Sequence, residues 1–418
     1  MSKKQKLIPE IRFPEFKNEG EWEEVTLGYL SQIVKGEQLN RIELTETGKY
    51  PCQNGGINPS GYTDKFNTNE NTITISEGGN SCGYINYMTS KFWLGGHCYK
   101  LVVNHRIDKS YLYQALKFNE EDIMRLRVGS GLPNIQQNAI RNFKFVISNF
   151  LPEQQKIASC LSSLDDLIKE HSQKLDLLKD HKKGLLQNLF PQEGEKVPKY
   201  RFSEFRKDGN WIKETVGDIY DFKVTNSFAR EYLNYENGSV KNIHYGDIHT
   251  KFNTLFDITK EVVPYINSEV SIEKIRNESY CIAGDIVFAD ASEDMNDVGK
   301  SIEIVNLNKE NLVSGLHTLL ARQKEKKLAI GFGGYLFKSD WIRKQIQREA
   351  QGAKVLGISA TRISNVQILY PKNHKEQQKI SSCLSSLDEF IKAQSEKIEQ
   401  LKLHKKGLMQ GLFPKIND

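Results

Sequence analysis

From Ile157 onward, apolar residues recur at alternating spacings of four and three. The stripe is Ile157, Leu161, Leu164, Ile168, Leu175, Leu178, Leu185 and Leu189, with His171 and Lys182 at its two polar turns. That rhythm is a heptad seam, along which two helices pack face to face. It is written again as Ile380, Leu384, Leu387, Ile391, Ile398, Leu401, Leu408 and Leu412, with Gln394 and Lys405 as the polar members. No proline interrupts either stripe; Pro191 and Pro414 close them. The pattern predicts two helices of roughly 35 residues, about 50 Å long at 1.5 Å per residue. An amphipathic rod of that length needs cover for its apolar face, and the nearest cover is its own copy. The expectation is an antiparallel coiled coil formed within one chain, with His171 and Gln394 as mid-seam polar residues that fix register. Lys182-Lys183-Gly184 and Lys405-Lys406-Gly407 read as solvated helix face.

The two stripes are duplicates. Glu153–Pro191 and Glu376–Pro414 share 27 of 39 positions at a constant offset of 223. The offset reaches back to Gly129, Ile135, Ile140 and Phe143, which map onto Gly352, Ile358, Ile363 and Val366. A second match opens each half: the run Ile8 to Phe16 pairs with Val197 to Phe205, Trp22 with Trp211 and Gly28 with Gly217, at an offset of 189. The second half therefore carries 34 extra residues between its ends. Between the matched ends only a Gly-x-His echo survives, Gly95/His97 and Gly315/His317. The plan is a variable block, a fixed helix, a second variable block and a second fixed helix. In numbers, a lead segment covers 1–23, a first block 24–150, a helical spacer 151–191, a repeat of the lead 192–212, a second block 213–373 and a second spacer 374–418. Near-identical segments do one job twice; divergent blocks in equivalent places do different versions of one job.

The blocks look mixed and strand-rich. Thr72–Ser76, Tyr99–Val103, Phe143–Ile147, Asp285–Phe288 and Ser301–Val305 read as strands, and Lys109–Phe118 and Ser339–Arg348 as short helices. The fold class expected is α+β: two mixed α/β domains separated by two long helices, with a pseudo-two-fold internal repeat. Gly- and Asn-rich turns join the strands at Gln53–Tyr62, Glu77–Ser81 and Tyr245–Ile248. Asn and Gln can pair bidentately with adenine edges, and Arg or Lys with guanine; glycine-rich backbone can approach phosphates closely. The nucleic-acid-binding candidates are Asn54, Asn58, Tyr62, Asn80, Ser81, Asn134 and Gln136 in the first block. In the second they are Arg230, His244, Tyr245, Asp247, Lys300 and Lys354.

Composition adds little to this picture. Net charge is +5, which permits a polyanion partner without demanding one. Charged residues make up 27% of the chain, a globular composition. The six cysteines form no CxxC pair and read as reduced thiols of a cytoplasmic protein. The basic start Met1–Lys6 lacks the apolar stretch of a secretory signal, and no run approaches a membrane span. No GxxxxGK[ST], HExxH, GxSxG or EF-hand pattern occurs, nor the Asn/Asp-Pro-Pro-aromatic motif of adenine methyltransferases. Gly331-Phe-Gly-Gly334 does not match GxGxxG, and His244 and His249 lack a completing ligand. No catalytic, cofactor or metal site is expected.

The paired lead segments, the Asn54–Tyr62 turn, the Gly129–Phe145 segment with its copy, and above all the two EQQKI…LFP helices resemble the specificity subunits of type I restriction–modification systems. The resemblance covers nearly the whole chain. It implies that each block reads one half of a split double-stranded DNA target, while the helices act as spacers and dock two methyltransferase subunits; restriction/translocase subunits then join. Adenine-N6 methylation with S-adenosylmethionine, and cleavage with ATP and Mg²⁺, would reside in those partners. This chain would bind no cofactor, and no membrane is involved. Two readers on a rigid spacer suit half-sites about one DNA turn, roughly 34–36 Å, apart, and a pseudo-two-fold chain can take two identical partners equivalently.

Overall fold

The computed structural model describes residues 7–129 and 131–414; the basic stretch Met1–Lys6 lies outside the described residues. The chain forms two compact units, Met1–Gln173 with Glu396–Asp418, and Lys174–Ser395. Both predicted rods are present, as helices Leu151–Leu189 and His374–Leu412 of 39 residues each. Each unit holds the start of one helix and the end of the other. In the first unit Ile157, Ala158 and Leu161 share a core with Met409, Leu412 and Phe413. In the second, Leu189 and Phe190 share one with Ile380 and Leu384. Starts meet ends, so the helix segments in each unit run antiparallel. All ten seam positions of each helix are buried or half-buried, and most residues between them are exposed.

The seam also recruits charge. In the first unit Lys405 Nζ lies 2.6 and 2.7 Å from the Asp165 carboxylate oxygens. In the second, Lys182 pairs with Asp388, which also accepts a hydrogen bond from the Tyr335 hydroxyl at 2.7 Å. Asp165 and Asp388, like Lys182 and Lys405, are repeat equivalents, so one ion pair is built twice. This corrects the reading of the two Lys-Lys-Gly runs as solvated face. Lys182 and Lys405 lie on the seam and are only 18% and 12% exposed; Lys183 and Lys406 do face solvent.

Each block is built on one layout. The first has a four-stranded antiparallel sheet in the order Ser31–Lys35, Cys98–Val103, Thr72–Ser76, Ile85–Met88. Its smaller sheet is Tyr62–Thr63, Tyr50–Gln53, Trp93–Leu94, the last pair parallel. The second block repeats the main sheet as Tyr220–Lys223, Thr318–Gln323, Ile286–Ala289, Ser301–Asn306 and adds Leu255–Asp257 at the edge. Its small sheet likewise gains a strand, in the order Leu233–Asn234, Tyr265–Ile266, Lys241–Ile243, Leu312–Ser314. The extra sequence thus extends both sheets without changing their plan. Isoleucine and threonine alternate in Thr72–Ser76, as a packed strand requires, and Asp108 caps helix Lys109–Phe118 by accepting from the Tyr111 amide at 2.8 Å.

A clasp joins each block to the start of its long helix. The ends of the block pair as a ribbon, Glu23–Thr26 with Lys144–Ile147 and Ile212–Thr215 with Gln367–Tyr370. Beneath the first ribbon Arg12 makes a bidentate pair with buried Glu153 at 2.7 and 2.9 Å. Trp22 Nε1 donates to the same carboxylate at 3.2 Å and Ser148 Oγ at 2.6 Å. Arg201, Trp211 and Glu376 repeat the arrangement at 2.8, 2.8 and 3.3 Å. The lead motif and the first residue of EQQKI are therefore two halves of one buried structure.

Candidate nucleic-acid interface

In the first block three loops converge beside the small sheet. The parallel strands Tyr50–Gln53 and Trp93–Leu94 end at Asn54 and Gly95. The Asn54 side chain accepts from the His97 amide at 3.0 Å. A Cβ at Gly95 would fall 2.4 Å from Asn54 Oδ1, so only glycine fits there. The Gly55 carbonyl accepts from Ser81 Oγ at 2.7 Å and also from Ser76 Oγ, which ties the 53–62 turn to the 77–83 loop. Asn134 reaches the same place by bridging Gly78 and Val128. Asn58, Asn80, Asn134 and Gln136 are exposed, and Asn54 and Ser81 half-buried. Tyr62 stands apart, on the edge strand of the small sheet.

The second block places a different set on the same frame. Strands Lys241–Ile243 and Leu312–Ser314 are again parallel and lead into His244 and Gly315, where a Cβ would lie 2.4 Å from Asn242 Nδ2. His244, Tyr245 and His317 form an aromatic cluster, with Tyr245 centred 4.6 Å from His244 and 5.3 Å from His317. His244 Nδ1 accepts from the Gly246 amide at 3.1 Å; burial lowers its proton affinity, and nearby Arg230 lowers it further. Arg230 grips Asp247 through two hydrogen bonds at 2.9 and 3.0 Å, and Lys251 adds a third contact at 2.9 Å. Burial alone would raise the Asp247 carboxyl; these cations outweigh it and hold it below the usual range. Asp247 is buried and anchors Arg230 from below, so its carboxylate is already committed. Lys300 donates to the His249 carbonyl at 2.6 Å, and Lys354 lies on a separate exposed turn.

The structure thus gathers Asn54, Ser81 and Asn134 in one block and Arg230, His244, Tyr245 and Asp247 in the other. It adds residues not among the binding candidates read from the sequence: Lys35, Glu77 and His97 in the first block; Tyr235, Lys251, Asp290 and His317 in the second. Glu77 accepts from Lys35 Nζ at 2.6 Å and the Tyr99 hydroxyl at 2.8 Å. The Gly-x-His echo was the signal for the two histidines. Amide, imidazole, guanidinium and phenol groups on exposed loops supply the donors and acceptors that base edges and phosphates match. Among the described residues no group of three or more His, Cys, Asp and Glu is placed to hold a metal ion. No helix among them is long and apolar enough to cross a membrane.

Comparison with known proteins agrees with this layout. The sequence model of a family described as the type I restriction modification DNA specificity domain matches twice, over residues 19–180 and 208–403. A putative type I specificity subunit of Mycoplasma genitalium is 24% identical over 399 residues, covering 95% of each chain. The specificity subunit of the type I restriction enzyme MjaVIII of Methanocaldococcus jannaschii is 26% identical over 423 residues, covering 96% of this chain and 93% of that one. The crystal structure of a type I restriction–modification S subunit from M. genitalium has the same fold. It shows a TM-score of 0.66 at 20% identity, over 98% of this chain and 100% of that one. Two matched domains, each clasped to one of two duplicated helices, place the chain in the type I restriction–modification specificity subunit family.

Proposed function

We propose that the two blocks read the two halves of a bipartite DNA target, and that the antiparallel helices hold them at a set separation. The observation that carries this is one loop frame filled with different side chains. Asn54 follows the parallel strand of the first block where His244 follows it in the second, and the loops gathered around them carry Ser81 and Asn134 in one block and Tyr245 and Arg230 in the other. A shared frame with unlike donors and acceptors suits two readers of unlike sequences. The duplicated helices offer two equivalent surfaces, and in this reading each docks one adenine-N6 methyltransferase subunit. Methylation with S-adenosylmethionine and cleavage with ATP and Mg²⁺ belong to the partner subunits; this chain supplies address and spacing.

The test is to exchange residues 213–373 for the corresponding block of another family member, co-express the chimera with its partners, and sequence the host genome for methylated adenine. The expected result is a split motif altered in its second half alone. Change in both halves, or in neither, refutes modular reading.

A further inference from the structure

The Gly-x-His echo persists in two blocks that otherwise share little sequence. The structure puts both histidines in one setting. Glu77 and His97 face each other across the strand ends, with the Glu77 amide donating to the His97 carbonyl at 2.9 Å. Asp290 and His317 do the same at 3.0 Å. In each case the carboxylate addresses the ring, His97 Nδ1 lying 3.7 Å from Glu77 and His317 Nδ1 3.2 Å from Asp290. The main chain beyond each carboxylate is gripped alike: the Ile135 amide donates to the Glu77 carbonyl at 2.8 Å and the Ile358 amide to the Asp290 carbonyl at 2.8 Å. His317 adopts a left-handed backbone, φ 54°, which His97 does not share.

Packing does not account for this conservation. The two side chains are 65% and 50% exposed, so neither fills a core. The preceding glycines have their own steric reason; the histidines do not. Base reading does not account for it either, because blocks that read different bases differ in their readers. What two such blocks have in common is the sugar–phosphate backbone of the duplex. Phosphate contacts set register and affinity and carry no sequence information. A ring whose Nδ1 faces a carboxylate has Nε2 on its far side for an outside partner. At 3.2 Å the His317 ring is within hydrogen-bond reach of Asp290, and at 3.7 Å the His97 ring lies just beyond it from Glu77.

We propose that His97 and His317 are matched phosphate contacts, one per block, which add affinity at each half-site without selecting its bases. Glu77 and Asp290 are positioning residues that orient the rings. This rests on the reading above that the chain binds DNA through its two blocks.

The test uses the full chain assembled with its partner subunits. H97A, H317A, the double variant and the H97K/H317K pair are compared by DNA affinity across a salt series, on cognate and unrelated duplexes, and by the methylated motif in cells. Each alanine is expected to weaken both duplexes by the same factor, about 3- to 10-fold, and to lower the salt slope by about one. The double variant lowers it by about two. The motif stays unchanged, and the lysine pair recovers affinity and slope. A motif altered in one half makes the histidine a base reader and overturns the proposal. Unchanged affinity in the double variant, with wild-type binding intact, overturns it as well. Wild-type complex without salt-sensitive DNA binding would instead remove the reading on which it rests.

Discussion

Removing Arg201 should unfold its unit more readily than removing Arg12 unfolds the other, although the two are repeat equivalents. Each arginine is the main partner of a carboxylate that is almost fully buried. Breaking a buried pair from one side costs about 3–5 kcal/mol, because the other charge is left stranded. The two carboxylates are not equally stranded. Without Arg12, Glu153 keeps Ser148 Oγ at 2.6 Å and Trp22 Nε1 at 3.2 Å. Without Arg201, Glu376 keeps Trp211 Nε1 at 3.3 Å, and Pro371 stands at the repeat position of Ser148. A hydrogen bond to a charged group contributes about 1.5–3 kcal/mol, so R201A should exceed R12A by about 1.5 kcal/mol or more. Urea unfolding of the full chain measures both, followed by tryptophan fluorescence, since Trp22 and Trp211 sit inside the clasps. Replacing both charges, as in R201M/E376M, should recover most of the loss, because apolar groups of similar size need no partner. A cost below about 1 kcal/mol for R201A, or a larger one for R12A, refutes the argument.

Three further outcomes follow from the same contacts. K405D sets two carboxylates together beside the seam and should cost about 1–2 kcal/mol, discounted because Asp165 is partly exposed; D165K/K405D should restore most of it in the same unfolding assay. G95A and G315A each force a Cβ to within 2.4 Å of an asparagine side chain, an overpacking worth about 1–3 kcal/mol; each should degrade the methylated motif in its own half alone. Burial pushes the Glu303 carboxyl up to about 7, against opposing hydrogen bonds from the Gly331 and Gly334 amides. Folding therefore favours its protonated form, and that stability is complete below the ordinary value of 4.5 and is lost as pH rises to about 7. At 1.36 kcal/mol per unit the loss is about 3 kcal/mol, and unfolding midpoints of E303Q should be flatter over that interval. Buried Lys338, pulled down to about 7, acts only above it.

Periodicity made the helices legible, because a seam repeats its apolar residues at fixed spacing whatever covers them. Alternation did the same for strand Thr72–Ser76, and helix Lys109–Phe118 begins and ends where the sequence placed it. The clasp was less visible. Arg12, Trp22 and Glu153 are separated by up to 141 residues, and no local rule links them; only their joint recurrence as Arg201, Trp211 and Glu376 could. Lys182 and Lys405 were misjudged because lysine in a charged run normally faces water, whereas seam position and an acidic partner on the other helix decide here. Asp247 looked available as a polar loop residue, and folding spends it on Arg230 and Lys251. Loop convergence was out of reach, since turns carry composition but no register.

How the blocks vary while the helices stay fixed follows from which atoms join them. The second residue of each EQQKI segment, Gln154 or Gln377, is fully buried and holds its block by main-chain atoms. Gln154 accepts from the Asp108 amide at 2.8 Å and donates to the Ser148 carbonyl at 2.7 Å. Gln377 accepts from the Ala329 amide at 2.6 Å and donates to the Lys327 and Pro371 carbonyls at 3.1 and 2.8 Å. Every residue but proline offers those groups, so the grip depends little on block sequence. The clasp residues Arg201, Trp211 and Glu376 lie outside 213–373 and stay behind when that block is exchanged. The ribbon strands within it, from Lys213 and up to Tyr370, travel together with their register intact. A helix that grips backbone and keeps its own ion pair retains those contacts whatever block is fitted, while block side chains such as Phe332 and Tyr335 supply the rest of the packing; in the reading proposed above, that retained grip is what lets one half change at a time.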